Sequence, residues 1–556
     1  MQQGSNPPPV PARAIVKGAF VLGAAAVVSK LLGTLQKIPL QNVAGDSVFG
    51  IYNAVYPLYT LILFIATAGF PIAVSRFVAE ERASGSPEGA RAVLAMALKL
   101  SFVTSLGCFV LLYGGAGTLA GWIGNGHTEE ALRSVSFALF FVPGLAALRG
   151  YFQGMGNMVP TAVSQVAEQS VRVAVMVALL FALVGSGASD GSIAAGAMFG
   201  SAAGALAGLL VMCGYWQAHR VKEVRASSGR KKTSHSAVKA RTVSPVGYRR
   251  FIAYALPICL GSVVLPMLTL ADTFTLPRLL RLNGFDEAGA MAQFGLYNHG
   301  LPLIQLVAMI VSSMSVALVP ALSEAKARGK LADVRGSAEA SLRLVWLIGL
   351  AASAGMAVTA IPLNVMFYKD TEGYAAMMIL AWTAVFSVVQ IVSGTILQGL
   401  GAERSTAYYL LAAAAIKVGL NVALVPRWGI EGAALSAVAA YAAAAVLNLL
   451  RLRAYKLLRL SWRTFVWKPL LATAVMAIVT AAIVVALDAL LVYVWPDMAY
   501  RWRQTVVAVF SVACGAVVFG IMLFRTGAVG VQELSAVPKL GKRLLPVLRR
   551  LRIIST

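Results

Sequence analysis

Phe49-Gly50-Ile51-Tyr52-Asn53, followed by Pro57-Leu58, returns later in the chain as Phe294-Gly295-Leu296-Tyr297-Asn298, followed by Pro302-Leu303. Asn53 and Asn298 are 245 residues apart, and Gln153-Gly154-Met155-Gly156 precedes Gln398-Gly399-Leu400-Gly401 by the same 245. The cations Arg172 and Lys417 also fall in this register. One shared offset for features about a hundred residues apart identifies two homologous halves. The composition says what those halves are made of. Hydrophobic residues make up 59% of the chain and charged ones 12%, outside the range of soluble globular proteins. Apolar stretches recur along the whole length, each with the roughly 20 residues needed to cross about 30 Å of hydrocarbon. They lie near 14–38, 49–75, 92–118, 132–152, 160–184 and 191–216 in the first half, and near 251–277, 290–320, 340–367, 374–400, 405–426 and 430–450 in the second. Two more, 466–494 and 503–524, fall outside the repeat and bring the count to about fourteen. Strand-like alternation is missing and lipid demands internally satisfied backbone groups, so the spans read as helices. Repeated halves in such a chain suggest a transporter whose site lies between them.

The net charge of +25 raises the question of nucleic acid, but its distribution answers otherwise. Lys and Arg cluster on alternate connections: Arg76, Arg82 and Arg91 after the second span, Lys326, Arg328, Lys330 and Arg335 after the eighth, and Arg451 to Arg463 after the twelfth, with further cations from Lys539 to Arg552. The intervening connections carry little, among them Glu129 with Glu130 and Asp190. This is the positive-inside pattern. It places both termini in the cytoplasm, requires an even number of spans, and gives no reason to expect a nucleic-acid partner.

Cys108, Cys213, Cys259 and Cys514 sit inside apolar spans without metal-ligand spacing and read as small hydrophobes. The first apolar stretch is too long for a signal peptide and carries Lys30 and Lys37, so it reads as a retained helix. The domains expected are an N-lobe over 1–216, a basic cytoplasmic linker over 217–250, a C-lobe over 251–452, two added helices over 453–524 and a basic tail over 525–556. The linker, with Arg230-Lys231-Lys232 and many Ser, has the composition of a mobile segment resting on anionic headgroups. The tail has the spacing of an interfacial amphipathic helix. Gly69-Phe70-Pro71 is expected to interrupt span 2, Pro257 with Pro266 span 7, and Pro302 and Pro320 to bracket span 8, because proline removes a backbone hydrogen bond.

An ionisable group at the bilayer centre costs at least about 2.5–3.5 kcal/mol on insertion scales, so such residues mark wet cavities or pairs. Span 1 carries Lys30 and Lys37, seven residues apart and so on one face. Span 5 carries Glu168 and Arg172 at the i, i+4 spacing that permits pairing. Asp272 lies in span 7, His299 beside Asn298 in span 8, and Lys417 with Asn421 in span 11. Lys99 and Arg149 read as side chains snorkelling to an interface. Span 1 contains no acid to balance Lys30, and a bound anion is the economical counter-charge. In the first half Lys30, Lys37, Arg149 and Arg172 outnumber Glu168, as expected of a cavity for an anionic solute. No G-x-x-x-x-G-K-[ST] loop and no large soluble region are present, so no ATP machinery is expected. No triad or metal-ligand pattern suggests covalent chemistry, and neither a cofactor nor a metal is expected.

Ser29-Lys30-Leu31-Leu32-Gly33 through Lys37-Ile38-Pro39-Leu40 resembles the multidrug/oligosaccharidyl-lipid/polysaccharide exporter superfamily. Ala66-Thr67-Ala68-Gly69-Phe70-Pro71-Ile72-Ala73-Val74-Ser75-Arg76-Phe77-Val78-Ala79-Glu80 is similar to the branch holding MurJ-like and SpoVB-like proteins of Gram-positive bacteria. Pro277-Arg278-Leu279-Leu280 and Leu318-Val319-Pro320-Ala321-Leu322-Ser323-Glu324 fit the same branch. The resemblance covers most of 14–450. It implies an all-α membrane protein with two pseudo-symmetric six-helix lobes in a V, two C-terminal helices forming a groove for a polyprenyl tail, and a basic central cavity engaging a lipid pyrophosphate. By position it implies pyrophosphate contacts for Lys30 and Lys37. The family's helix-8 arginine has no counterpart here, and Asn298 and His299 occupy that neighbourhood. Arg172 joins them as a candidate pyrophosphate ligand. Where some MurJ proteins hold sodium between an Asp of helix 7 and polar residues of helix 11, Asp272 is present but helix 11 offers Lys417 and Asn421. These residues, with Glu168, are assigned to coupling or packing, the Lys417 ammonium pairing with Asp272 in place of sodium.

The expected function is that of a flippase carrying an undecaprenyl-pyrophosphate-linked cell-wall precursor, lipid II or a related glycolipid, from the inner to the outer leaflet of the bacterial cell membrane by alternating access. The expected protein is a monomer among membrane lipids, with cell-wall synthesis proteins as candidate partners, and is not an enzyme. Two alternatives are a MATE-type multidrug antiporter, which the cationic excess disfavours, and a non-transporting scaffold for envelope or spore assembly. The repeat also shows an asymmetry. Lys30 and Lys37 correspond to Thr275 and Leu282 in the second half, so the anion site is expected mainly on the first lobe.

Overall fold

The computed structural model describes residues 12–67, 69–229, 247–264, 266–328, 330–458 and 463–528, and every regular element among them is helical. Eleven of these helices are long and apolar enough to cross a membrane, and a pair bent by 46°, Tyr248–Val263 with Met267–Leu282, makes a twelfth span. Two of the eleven runs, Val21–Ala83 with 63 residues and Glu403–Ala454 with 52, are each more than twice the roughly 20 residues that one crossing needs. The backbone leaves the helical region at Gly45 (φ 82°) in the first and at Gly429 (φ 54°) in the second. Counting each run as two crossings gives the about fourteen expected.

Glycine and proline break the spans where their chemistry requires. The helix Lys37–Thr67 stops before Gly69, and Phe70–Ala83 begins with Pro71 in its first turn, where a missing N–H costs nothing. Pro266 lies at the bend of span 7, whereas Pro257 is carried inside Tyr248–Val263. Pro302 opens the helix Leu301–Ala327, while Pro320 sits within it rather than ending it. The linker departs from expectation at its start, because the helix Asp190–Gly229 runs on through residues 217–229. Arg91 and His219 both face Glu223 on that extension, at 3.6 and 3.4 Å. Residues 230–246 of the linker and 529–556 of the tail lie outside the described residues.

Two compact units emerge, one of residues up to Arg278 with Glu287–Ala292, the other of Leu279–Asp286 and the chain from Gln293. In the first, Phe70, Phe77, Tyr151, Phe152 and Phe251 share a core, and Phe251 brings the helix Tyr248–Val263 against Phe70 and Phe77 at ring distances of 5.7 and 5.9 Å. In the second, Val311, Leu342, Val388, Ile396 and Leu452 play the corresponding part.

The 245-residue echo is a repeat of backbone geometry within each unit. Gly156 and Gly401 both take φ 77°. Around Gly156, the N–H groups of Met155, Gly156 and Asn157 donate to the carbonyls of Tyr151, Gln153 and Phe152. Leu400, Gly401 and Ala402 repeat those bonds on Ile396, Gln398 and Leu397. This is a left-handed helix stop that favours glycine. Each stop is then capped by a cation of its own unit, Arg82 on the Met155 carbonyl and Lys326 on the Leu400 carbonyl at 2.6 Å. Gly124 and Lys369, again 245 apart, are both left-handed (φ 93° and 74°) and end the helices Ala116–Ile123 and Ala360–Tyr368.

Candidate functional site

The first unit builds its polar site on one face of the helix Lys37–Thr67. At 100° per residue, Tyr52, Asn53, Tyr56 and Tyr59 fall within about a third of the circumference. Their neighbours come from the preceding turn. Lys37 is 7% exposed, and its Nζ donates to Asn53 Oδ1 at 3.2 Å. Gln36, also buried, donates from Nε2 to the Tyr52 hydroxyl at 3.2 Å. Asn53 is in turn fixed by its Nδ2, which donates to the Phe49 carbonyl at 2.8 Å. An ammonium carries three donors. Among the described residues Asn53 accepts from one of them, and no carboxylate pairs with Lys37.

Lys30 sits differently. A single turn residue, Gln36, separates the helix Ala12–Leu35 from Lys37, which opens the next one. Ser29 donates to the Gln165 carbonyl at 3.3 Å, and Gly33 lies against the Gln169 amide, which docks this helix on Val159–Gly185. The Lys30 side chain is exposed.

Val159–Gly185 supplies the second cluster. Glu168 Oε1 accepts from Arg172 Nη2 at 2.8 Å, the pairing its i, i+4 spacing permits, and Glu168 Oε2 accepts from Arg149 Nη2 at 2.9 Å. Arg149 therefore does not act as an isolated snorkelling cation. It comes from a different helix, Val142–Gly154, and also donates from Nε to Ser164 Oγ at 2.9 Å. The cluster holds two cations and one anion, side chains 12–18% exposed. Arg172 lies close enough to Tyr52, Tyr56 and Tyr59 to interact with all three electrostatically. The Tyr52 and Tyr56 rings stack at 5.9 Å, and Tyr56 meets Tyr59 at 6.3 Å. One lining thus runs from Lys37 along the tyrosines to Arg172.

The charge pattern does not indicate what holds Glu168 and Arg172 in place. Gly196, Gly200, Gly204 and Gly208 recur every fourth residue along Asp190–Gly229. A Cβ at Gly200 would stand 2.7 Å from the Arg172 carbonyl oxygen, and one at Gly204 2.6 Å from that of Glu168. The two backbones touch there, as small residues allow in membrane helices. Four-residue glycine spacing is the signal in the sequence that locates this support.

The second unit places its candidates elsewhere. His299 is fully buried, its Nδ1 2.9 Å from Asn364 Oδ1 and its ring stacked on Tyr368 at 3.9 Å. The Tyr368 hydroxyl donates to the His299 carbonyl at 3.0 Å. Asn364 also donates from Nδ2 to the carbonyls of Asp370 and Glu372, closing the turn that follows Lys369. Asn298 is buried and donates from Nδ2 to the Phe294 carbonyl at 2.6 Å. His299 and Asn298 are thus engaged by their own unit. Lys417 and Asn421 lie buried on the helix Glu403–Ala454 of the same unit. Asp272, 4% exposed, belongs to the first unit on Met267–Leu282.

Comparison with known proteins places this architecture. The family model described as "Polysaccharide biosynthesis protein" matches residues 15–326. The uncharacterized membrane protein YabM of Bacillus subtilis is 32% identical over 537 residues, covering 96% of this chain and 97% of its own. The lipid II flippase MurJ of the same organism is 26% identical over 531 residues, covering 92% and 95%. A solved lipid II flippase MurJ in an inward closed conformation shares the fold, with a TM-score of 0.64 at 11% identity over 90% of this chain and 98% of that one. An inward-facing MATE family transporter of the MOP superfamily does so with a TM-score of 0.61 at 16% identity, over 77% and 95%. Two repeated bundles of membrane helices and these matches have one reading, that the chain is a multi-span member of the polysaccharide biosynthesis protein family.

Proposed function

We propose that the protein is a flippase for an undecaprenyl-pyrophosphate-linked cell-wall precursor, lipid II or a related glycolipid, and that its two halves alternate access to the two sides of the bacterial cell membrane. The observation that carries this reading is Lys37. A lysine inside a membrane bundle, bonded to a neutral amide and to no carboxylate among the described residues, is a costly arrangement unless an anion completes it. Lys30, exposed one helix earlier, and Arg172, at the far end of the tyrosine stripe, supply further positive charge for the same anion. The match to the lipid II flippase MurJ along nearly the whole chain supports a lipid-linked glycan as that anion. A MATE-type antiporter for organic cations fits this surplus of cations poorly.

His299 and Asn298, from their engagement within the second unit, are assigned to shaping the wall rather than to direct phosphate contact. Coupling is assigned to Asp272 and Lys417, with the buried ammonium taking the part of a bound cation, so transport should proceed without sodium. A rate that falls when sodium is replaced by choline would refute that assignment.

The test of the main proposal is transbilayer movement of a labelled lipid-linked precursor in proteoliposomes. Lys30→Ala and Lys37→Ala should lose most of the activity while keeping expression and melting temperature, and normal transport by the double variant would overturn the site. Depletion of the protein in cells, followed by identification of the precursor that accumulates in the inner leaflet, distinguishes lipid II from teichoic or capsular intermediates.

A further inference from the structure

Along the lining from Lys37 to Arg172 the polar groups are incompletely matched. Among the described residues, Arg172 Nε, the Tyr59 hydroxyl and Gln36 Oε1 are buried with no hydrogen-bond partner, and Lys37 uses one of its three donors on Asn53. Folded proteins leave few such groups, and each calls for a missing partner. Most of what is missing here is acceptors, since Arg172 Nε and the Lys37 ammonium can only donate.

The carboxylate already present has an informative geometry. Glu168 gives one oxygen to Arg149 at 2.9 Å and the other to Arg172 at 2.8 Å. Two guanidinium groups, each giving one Nη2 bond, converge on the two oxygens of one anion and make a two-arginine fork whose charge-assisted bonds phosphate oxygens can equally accept. Glu168 brings one negative charge to a fork of two positive ones, and the side chains are 12–18% exposed.

We propose that Glu168 is a built-in surrogate for the ligand's phosphate: it occupies the Arg149–Arg172 fork in the unloaded protein and is exchanged for a diphosphate oxyanion when the ligand binds. The proposal rests on the anionic-ligand reading above and adds an internal competitor to it. In the loaded state diphosphate oxygens accept from Arg149, Arg172 Nε and the Tyr59 hydroxyl, and Glu168 swings away. On release Glu168 returns to the fork, so the empty site never holds two unpaired arginines side by side. The competition lowers affinity by the fraction of time the fork is free, which suits a carrier that must let its cargo go.

The experiment measures binding of two probes to the full-length protein in detergent, inorganic pyrophosphate and undecaprenyl diphosphate, at matched ionic strength. Glu168→Gln removes the competing charge and should tighten binding roughly tenfold if the fork is free about a tenth of the time in the wild type. It should slow flipping, because release loses its helper. Its melting temperature should fall without ligand and recover with pyrophosphate by more than the wild type gains, since a ligand stabilises the state it binds. Tightening for pyrophosphate, alone or with the lipid, assigns the fork to the diphosphate itself. Tightening for the lipid alone assigns it to a diphosphate presented on its lipid. Adding Arg172→Gln to Glu168→Gln should abolish the gain in either case.

Unchanged affinity for both probes, or recovery by chloride at the same ionic strength as large as by pyrophosphate, overturns the exchange. If Glu168→Gln does not fold, Glu168→Asp keeps the charge but shortens the reach to two arginines. A gain in affinity there supports the exchange and no gain overturns it. If Lys37→Ala abolishes pyrophosphate binding while both Glu168 variants leave it unchanged, only the exchange fails. If Lys37→Ala also binds normally, the anionic site fails with it.

Discussion

Asn53 and Asn298 occupy the same place in the two halves and make the same bond, each donating from Nδ2 to the carbonyl four residues earlier, Phe49 and Phe294. Tyr52 and Tyr297 beside them are equally buried. They differ in what lies across from them. Asn53 Oδ1 accepts from the buried Lys37, whereas the residue 245 positions after Lys37 is Leu282, which is 80% exposed. Glu168 with Arg172 corresponds to Ala413 with Lys417, so the second half keeps a cation without the acid four residues before it. The glycines at 200, 204 and 208 correspond to Ala445, Leu449 and Arg453, and the close backbone approach belongs to the first half. Duplication preserved what satisfies the backbone, the left-handed stops, while the cations that cap them come from positions one residue out of register, Arg82 and Lys326. The polar lining was differentiated, because charge inside a membrane bundle is kept only where something uses it.

The largest effect expected from breaking this asymmetry comes at Lys37. Truncating one partner of a buried, hydrogen-bonded charge pair costs about 2–5 kcal/mol of binding, which corresponds to a loss of flipping of roughly thirtyfold or more for Lys37→Ala in proteoliposomes. Removing an ammonium that has no carboxylate partner among the described residues should leave the melting temperature unchanged or higher. Leu282→Ala, its counterpart, should change neither. Equal loss of transport in both would show that the halves share the work and that the lining is not confined to the first.

Next comes the support beneath Glu168 and Arg172. A Cβ at Gly204 would lie 2.6 Å from a backbone oxygen that has no side-chain freedom to move, so Gly204→Val should cost about 1–3 kcal/mol by overpacking. The thermal midpoint of detergent-solubilised protein should fall, and transport with it, because the Arg149–Glu168–Arg172 cluster shifts. Leu449→Val at the equivalent position should cost less than about 1.5 kcal/mol, as a small apolar change does. His299→Ala belongs at a similar level by a different route. It removes the bond to Asn364 and the stack on Tyr368, and should cost about 1–3 kcal/mol of stability, read as a lower midpoint. A variant with lost transport but unchanged stability would instead return His299 to the ligand.

Much of the fold was legible in the chain because a repeat and a 20-residue apolar period are one-dimensional signals. Gly156 and Gly401 announce the repeat by their spacing, and Glu168 and Arg172 announce their pairing by four residues on one helix. What spacing does not carry is a contact from another element. Arg149 reaches Glu168 from a separate helix, and nothing in its local sequence distinguishes it from a cation snorkelling to an interface. Lys30 and Lys37 read alike from their spacing, although one is exposed and the other buried, and Pro39, which cannot donate to the Leu35 carbonyl, is the one local mark of the helix end there. The burial of Lys37 follows from Asn53, whose role is set by packing. Gly196, Gly200, Gly204 and Gly208 lay in plain view at four-residue spacing, but a reading led by charge passes over residues that have none.

The smallest effect is also the sharpest, because it compares one bond with itself. Asn53→Ala and Asn298→Ala each delete a side-chain bond to a helix carbonyl, and a carbonyl already serving its helix loses little, about 1 kcal/mol or less. Both variants should therefore show similar, modest drops in thermal midpoint. Their transport should diverge. In the first half the Lys37 ammonium loses its only described acceptor and becomes free to wander from the position that meets the ligand. In the second half no such group depends on Asn298 by its place in the repeat. A several-fold loss of flipping for Asn53→Ala beside near-normal flipping for Asn298→Ala would isolate positioning of Lys37 from stability of the fold. Asn53→Asp pushes the same comparison further, since a carboxylate there would neutralise Lys37 and should depress transport more than the alanine does while stabilising the protein. If the aspartate variant transports as well as the wild type, Lys37 is a packing residue, and the asymmetry between the halves has another purpose.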